Sequence, residues 1–335
     1  MSGTWREFGY RSEEIPHEPL DEATRQAKDL PRTLTWVPGG GVTQRPVFEP
    51  ALKQYQNAYR ATDPVFTDPA RGEAWRTARR QALHLVLASI SESEWAEALV
   101  LRGSMLMSMW FGQSARDPGD LDFVVVPAAW RIDEERTARM LDGIAEAAEA
   151  REGAVRFSAR KAVVEDIWTY ERVPGRRVVL PWSAPGLPGG HVQLDFVFNE
   201  RLPQAPEPVE LPGGATLLAA TPGLSLAWKL MWLITDIHPQ GKDLYDAVLL
   251  AERHPLSHEL LQEVVRESGE WPNPSLERPI PLAEVVQAAG HAEWQHFVTE
   301  YPQFAERGQE FAERLVRAVA PAFEDTSEGG GAPRL

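Results

Sequence analysis

Apolar residues at Trp75, Ala78, Ala82, Leu83, Val86, Leu87 and Ile90 recur at three- and four-residue steps, the spacing that gathers side chains on one face of a helix. The pattern predicts a helix over residues 71–97, with a second short one over 92–98 behind Ser91 as N-cap. A strand at Leu99–Arg102 follows, then an apolar helical segment opened by Gly103-Ser104, a turn at Asp117-Pro118-Gly119, and a strand over 120–126. Residues 132–151, rich in Ala, Glu and Arg, read as a helix, and strand-like pieces resume at 154–164 and 177–180. Over residues 191–199 the period changes to two: Val192, Leu194, Phe196 and Phe198 alternate with Gln193, Asp195 and Val197, as in a strand. Beyond a Pro-rich link at 202–212 the chain is helical to its end. Thr221 serves as N-cap and Pro222 as first residue of a helix whose apolar face carries Lys229 at its middle. Further helices are expected from Gly241 to His254 and over 257–268, 282–289, 292–301 and 304–320.

The two ends break this regularity. Residues 1–70 are rich in Pro, Gly and charge, offer one short strand at 33–37, and read as an extended arm anchored by Trp5, Phe8, Tyr10, Trp36 and Phe48, since aromatics in a polar arm usually pack. Residues 324–335 read as a disordered tail. The expected organisation is therefore an arm (1–70), an α+β core (71–205), a helical C-terminal domain (206–323) and the tail.

Composition narrows the class. A chain of 335 residues that is 43% hydrophobic and 25% charged has the profile of a soluble globular protein. No apolar run approaches the ~18–20 residues that span a bilayer, no signal peptide is evident, and the cytoplasm is the default location. With no cysteine, disulfides, zinc thiolates and thiol catalysis are excluded. A net charge of −15 argues against non-specific coating of nucleic acid. The arginines at 71, 76, 79 and 80 and those scattered over 151–177 read first as solvated faces, and second as a local basic groove.

The chemistry concentrates in LRGSMLMSMWFGQSARDPGDLDFVV, residues 101–125. Asp120 and Asp122 open a strand in which residues i and i+2 share a face, so both carboxylates can converge on one hard cation, while Leu121, Phe123, Val124 and Val125 bury the strand. Mg²⁺ takes oxygen ligands and is held by one or two carboxylates together with substrate phosphates. Upstream, Gly103-Ser104 begins a helix whose free N–H groups suit a phosphate. Asp195, an acid in a buried-looking strand, is costly unless paired or bound to a cation. It reads as a third metal carboxylate, or else as an acid on the solvent side of an antiparallel strand. These are the parts of Mg²⁺-dependent nucleotidyl transfer.

That segment, followed by VQLDFVF and WKLMWLITDIHPQGKDLYD, resembles the nucleotidyltransferase-like toxins of AbiEii/AbiGii type, which include the MenT toxins, over roughly residues 80–255. The resemblance implies an α+β nucleotidyltransferase fold, a mixed sheet flanked by helices with a helical C-terminal domain and the site in the cleft between them. It makes Gly103 and Ser104 the phosphate turn and Asp120 and Asp122 the metal ligands. Lys229 becomes a catalytic contact to the nucleotide phosphates. Lys242 and Asp243 join the nucleotide site, and Asp246 is an active-site acid or its structural partner. The implied activity is that of a toxin of a toxin–antitoxin or phage-defence system, transferring a nucleotide from an NTP to an RNA such as a tRNA 3′ end, with an antitoxin as partner. Two alternatives stay open: a small-molecule or protein acceptor, and a non-catalytic nucleotide-binding module, the latter because Gln240-Gly241 stands where the family often carries arginine.

Overall fold

Two strands that each carry an acid, lying side by side and parallel, set the frame. The computed structural model describes residues 15–16, 20–37, 39–170, 173–269 and 279–324. Trp5, Phe8, Tyr10 and residues 325–335 of the expected tail lie outside them. The N-terminal segment contributes α1 (Glu22–Ala27), β1 (Val42–Thr43), β2 (Pro46–Phe48), β3 (Tyr59–Ala61) and β4 (Val65–Phe66). The central part follows with α2 (Pro69–Ser91), β5 (Leu99–Arg102), α3 (Ser104–Phe111), β6 (Asp120–Val125), α4 (Glu135–Glu149), β7 (Arg156–Phe157), β8 (Val163–Tyr170), β9 (Val173–Ser183) and β10 (Gly190–Val197). Then come β11 (Glu207–Glu210), β12 (Thr216–Ala219), α5 (Pro222–Thr235), α6 (Gly241–Ala251), α7 (His258–Ser268), α8 (Leu282–His291), α9 (Trp294–Glu300), α10 (Gly308–Val319) and α11 (Pro321–Glu324).

The main sheet runs β11-β12-β5-β6-β10-β9-β7, with β8 also paired to β9. It is mixed: β6 is antiparallel to β5 and parallel to β10, and β12 is parallel to β5. The register sets Gln193 beside Asp120 and Asp195 beside Asp122 on β10 and β6, with Arg102 of β5 on the other side of Asp122. Helix α2 starts as its sequence dictates, Asp68 capping Ala70 N–H and Pro69 in the first turn, and buries Trp75, Ala78, Ala82, Leu83, Val86, Leu87 and Ile90 against the sheet and α4. Thr221 caps α5 through Leu224 N–H. One hydrophobic core continues from α2 and the sheet into α5–α10, so an α+β layer passes directly into a helical C-terminal region. No helix of the described residues is long and apolar enough to cross a membrane.

Four expectations change. Residues 33–37 form no strand; behind Pro31 the chain instead offers the N–H groups of Arg32 and Thr33 to the Glu165 carboxylate (2.6 and 3.2 Å). In the arm the pairing is β1 with β4 and β2 with β3. The short helix at 92–98 shrinks to a 3₁₀ turn at Ala96–Ala98, because the Ser93 hydroxyl accepts from Trp95 N–H at 3.2 Å, a local bond that competes with helix formation. The supposed link at 202–212 contains β11, which closes on β12; Pro208 is tolerated there because the strand is at the sheet's edge, where a missing N–H breaks no ladder. The piece at 154–164 divides into β7, paired to β9, a 3₁₀ turn at Ala159–Lys161 and the start of β8, and residues 163–164 and 177–180 belong to a longer β8–β9 hairpin.

Candidate active site

Gly103 is where the fold and the chemistry meet. It joins β5 to α3 with φ +79° and ψ −148°, a conformation close to one that essentially only glycine adopts. A Cβ there would lie 2.1 Å from Asp122 Oδ2, so the glycine lets the carboxylate rest against the chain. Ser104 is fully buried, and its hydroxyl donates to Asp120 Oδ1 at 2.9 Å. The Gly-Ser pair thus orients both acids, while the α3 N-terminus faces the same corner.

The acids differ sharply in electrostatics. Burial, then the neighbouring charges of Asp120 and Asp195, push the Asp122 carboxyl up to about 8. For Asp120, burial is outweighed by Lys242, Arg116, the Ser104 hydroxyl and Arg177, which hold it down at about 2. Such divergence between two acids that feel one another's charge marks a site short of positive charge at Asp122 and rich in it around Asp120. The donor set is anionic oxygen, which fits a hard divalent cation such as Mg²⁺. Among the described residues no three His, Cys, Asp or Glu side chains are already gathered as a metal cage. Two carboxylates completed by substrate oxygens match that arrangement.

Asp195 lies beside Asp122 in register, but both its oxygens accept from Arg177, Nε at 2.8 Å and Nη2 at 2.7 Å. Burial still raises its pKa against that pairing. It is an ion-paired acid behind the pair, in a parallel strand pair rather than on a solvent face. Lys229 is also engaged: its ammonium lies 2.7 Å from Asp243 and 3.2 Å from Asp246, 7% exposed. Asp246 is wholly buried and accepts from Arg116 Nε at 3.2 Å and Nη2 at 3.0 Å. Burial raises its pKa, but Arg116 and Lys229 bring it below the usual range. Lys229, Asp243 and Asp246 therefore form a buried network that ties α5 and α6 to the loop before β6, with Arg116 as its outward-facing member.

A cleft of about 90 Å³ opens at Asp120, lined by Arg116, Lys242, Arg79, His191 and Tyr301, and by Arg60, Thr62 and Asp63 of the arm. Lys242 enters it from the first turn of α6. Its positive field is visible in His191, whose pKa falls to about 4 through burial and then through Arg79, Arg60 and Arg177. The cleft brings Arg60, Arg79, Arg116 and Lys242 together with Asp63, Asp117, Asp120 and Glu300. Several arginines considered for a basic groove are neutralised elsewhere: Arg76 and Arg80 on Glu73, Arg151 on Glu92, Arg176 on Asp166. Sequence reasoning missed Arg116, four residues before Asp120 within the motif itself, and Glu49, whose only signal is an acid in an otherwise aromatic and proline-flanked stretch.

The sequence matches the family described as nucleotidyl transferase AbiEii toxin, type IV TA system, over residues 85–327, well over half the chain. No curated protein matches it. Among solved structures, JHP933 from Helicobacter pylori aligns at 12% identity and TM-score 0.46, covering 76% of this chain and 94% of that one. A candidate nucleotidyltransferase from H. pylori aligns at 12% identity and TM-score 0.46, covering 77% and 99%.

Proposed function

The chain belongs to the AbiEii nucleotidyl transferase toxin family of type IV toxin–antitoxin systems, and from that premise we propose that it transfers a nucleotide from an NTP to an RNA acceptor such as a tRNA 3′ end, with Mg²⁺ held by Asp120 and Asp122. The observation that carries this reading is a carboxyl pair driven apart in pKa, one member of which, Asp120, lines a cleft together with the cations Lys242 and Arg116. A bound Mg²⁺ would supply charge neutralisation on the phosphates and lower the pKa of the attacking hydroxyl.

The chain's own residues do the rest. The acceptor oxygen forms a bond to the α-phosphorus as the bond to the pyrophosphate breaks; the hydroxyl proton passes to a carboxylate or water, and pyrophosphate departs with the electron pair. Lys242, a compact cation at a helix start, contacts the phosphates. Arg116 presents its remaining N–H groups to the leaving group while Asp246 fixes the guanidinium plane from behind, and preorganised donors of this kind are worth most in a water-poor site. Lys229 and Asp243 hold Asp246 and α6 in place. Ser104 orients Asp120, and Gly103 gives Asp122 its room. Asp195 fixes Arg177 behind the pair and becomes a third ligand only if Arg177 is displaced. A cognate antitoxin is the expected partner in such a system.

The test is incubation of the protein with each labelled NTP, Mg²⁺ and total RNA beside an Asp120→Ala control. Label in a tRNA-sized band that vanishes in the control supports the reading. Label on protein or a small molecule would move the acceptor, and no label on any acceptor by a protein that binds NTP would favour a silent module.

A further inference from the structure

The N-terminal arm crosses the cleft just described, and the contacts on its two sides differ in kind. On the sheet side it carries a small apolar core of its own, in which Leu30, Leu34, Leu52 and Tyr59 pack with Ile167 of β8, and Leu52 bridges Ile167 through the backbone. On the helical side the contacts are ion pairs and ring contacts to histidine, the Phe48 ring lying 5.8 Å from that of His296. Arg60 makes a two-pronged pair with Glu300 at the end of α9 (2.9 and 2.7 Å), and the Phe48 ring lies edge-on to His238 at 5.1 Å. Apolar packing is retained when ion pairs exchange for water, so the sheet side is the hinge and the α9 side is the side that can let go.

Glu49 sits at the centre of that releasable side. Its carboxylate is 6% exposed and lies 3.1 Å from Arg60 Nε and 3.8 Å from Lys242 Nζ. Burial opposes its ionisation, but Lys242, Arg177 and Arg60 hold its pKa at about 2. A fixed anion therefore faces the lysine that the proposed reaction assigns to phosphate. The cleft beneath is also too small: about 90 Å³, where sites for small molecules and cofactors are on the order of 300–1,000 Å³.

We infer that the arm is an internal competitor of the nucleotide: Glu49 occupies an anion's place on Lys242, the strap closes the cleft, and a nucleoside triphosphate enters only when the arm releases Glu300. This rests on the nucleotide reading of the cleft. The apparent affinity is then the intrinsic one reduced by the fraction of molecules with the arm released, and any partner that captures the released arm activates the enzyme.

Equilibrium binding of mant-labelled ATP, CTP, GTP and UTP with Mg²⁺ tests it in the full chain. Glu300→Gln weakens the clasp while leaving Lys242, Asp120 and Asp122 in place, and its Kd should fall by roughly tenfold; because Glu300 also lines the cleft and its carboxylate feels Lys242, a second comparison at constant charge separates release of the arm from the change in charge. Because the chain has no cysteine, an Arg60→Cys/Glu300→Cys protein can be joined specifically by a short bis-maleimide. The joined form should bind at least about tenfold more weakly than the same protein before joining, a comparison that does not depend on how well the variant folds relative to the parent. Nucleotide binding that is unchanged by both manipulations, or weakened by Glu300→Gln, would overturn the arm's role while leaving the nucleotide site standing. Absence of binding by every form would instead remove the nucleotide reading, and the inference with it.

Discussion

Replacing Asp122 with Asn should stabilise the metal-free protein while abolishing transfer. Burial, Asp120 and Asp195 hold the Asp122 carboxyl up at about 8. A carboxyl raised in the folded state favours folding when protonated, and that contribution is lost as pH climbs from about 4, where the unfolded chain's aspartate ionises, through about 8. Asp120, held at about 2, contributes to the parent and the variant alike and so leaves their difference to Asp122. At about 1.4 kcal/mol per pKa unit, the Asp122 penalty near pH 7 is on the order of 4 kcal/mol. For a chain of this size that corresponds to a Tm difference of roughly 6 °C. In EDTA, Asp122→Asn should melt above the parent by that amount, with the gap closing toward about pH 4. Mg²⁺ should then raise the parent's Tm by mass action and leave the variant's nearly unmoved. Thermal melts across this pH range, with and without Mg²⁺, provide the assay. A variant that melts at or below the parent in EDTA, or that responds to Mg²⁺ as the parent does, would refute the reasoning.

Gly103→Ala should lower stability by about 1–3 kcal/mol through backbone strain and cost about 100-fold in transfer, because a Cβ 2.1 Å from Asp122 Oδ2 must displace a ligand by the ångström or so that such sites do not tolerate; melts and initial rates read both. The two lysines should separate cleanly. Lys229→Ala leaves Asp243 and Asp246 buried without their shared cation and should cost about 3–5 kcal/mol in denaturant unfolding. Lys242→Ala removes the leading cation beside buried Glu49 and Asp120 but leaves Arg60 on Glu49, so it should cost less, about 1–2 kcal/mol, and raise KM for the NTP.

Much of this was legible in the sequence where a residue's own neighbours decide its structure. The strand opened by Asp120 and Asp122, the alternating strand of Asp195 and the helix begun by Thr221-Pro222 are written in local periodicity and caps. The partners of Asp195, Lys229 and Asp246 were not, because each is fixed by pairing across the fold: Arg177 sits opposite Asp195 on the next strand, and Arg116 meets Asp246 from 130 residues away. Read locally, a lysine on an apolar helix face is a phosphate contact or a snorkelling stem. Only packing reveals it as the counter-ion of two buried acids. The arm misled for the opposite reason, since its structure comes from docking on β8 and α9 and leaves little periodicity to read.

The account's central claim is that Asp120 and Asp122 form a metal-dependent nucleotidyl-transfer centre. The most direct measurement is pyrophosphate release together with label transfer from an α-labelled NTP, in EDTA and in Mg²⁺, for the parent and for an Asp120→Ala protein shown to be folded. One pyrophosphate per label transferred, dependent on Mg²⁺ and lost in the variant, is the predicted result. Transfer that persists in EDTA, or in folded Asp120→Ala, would contradict it.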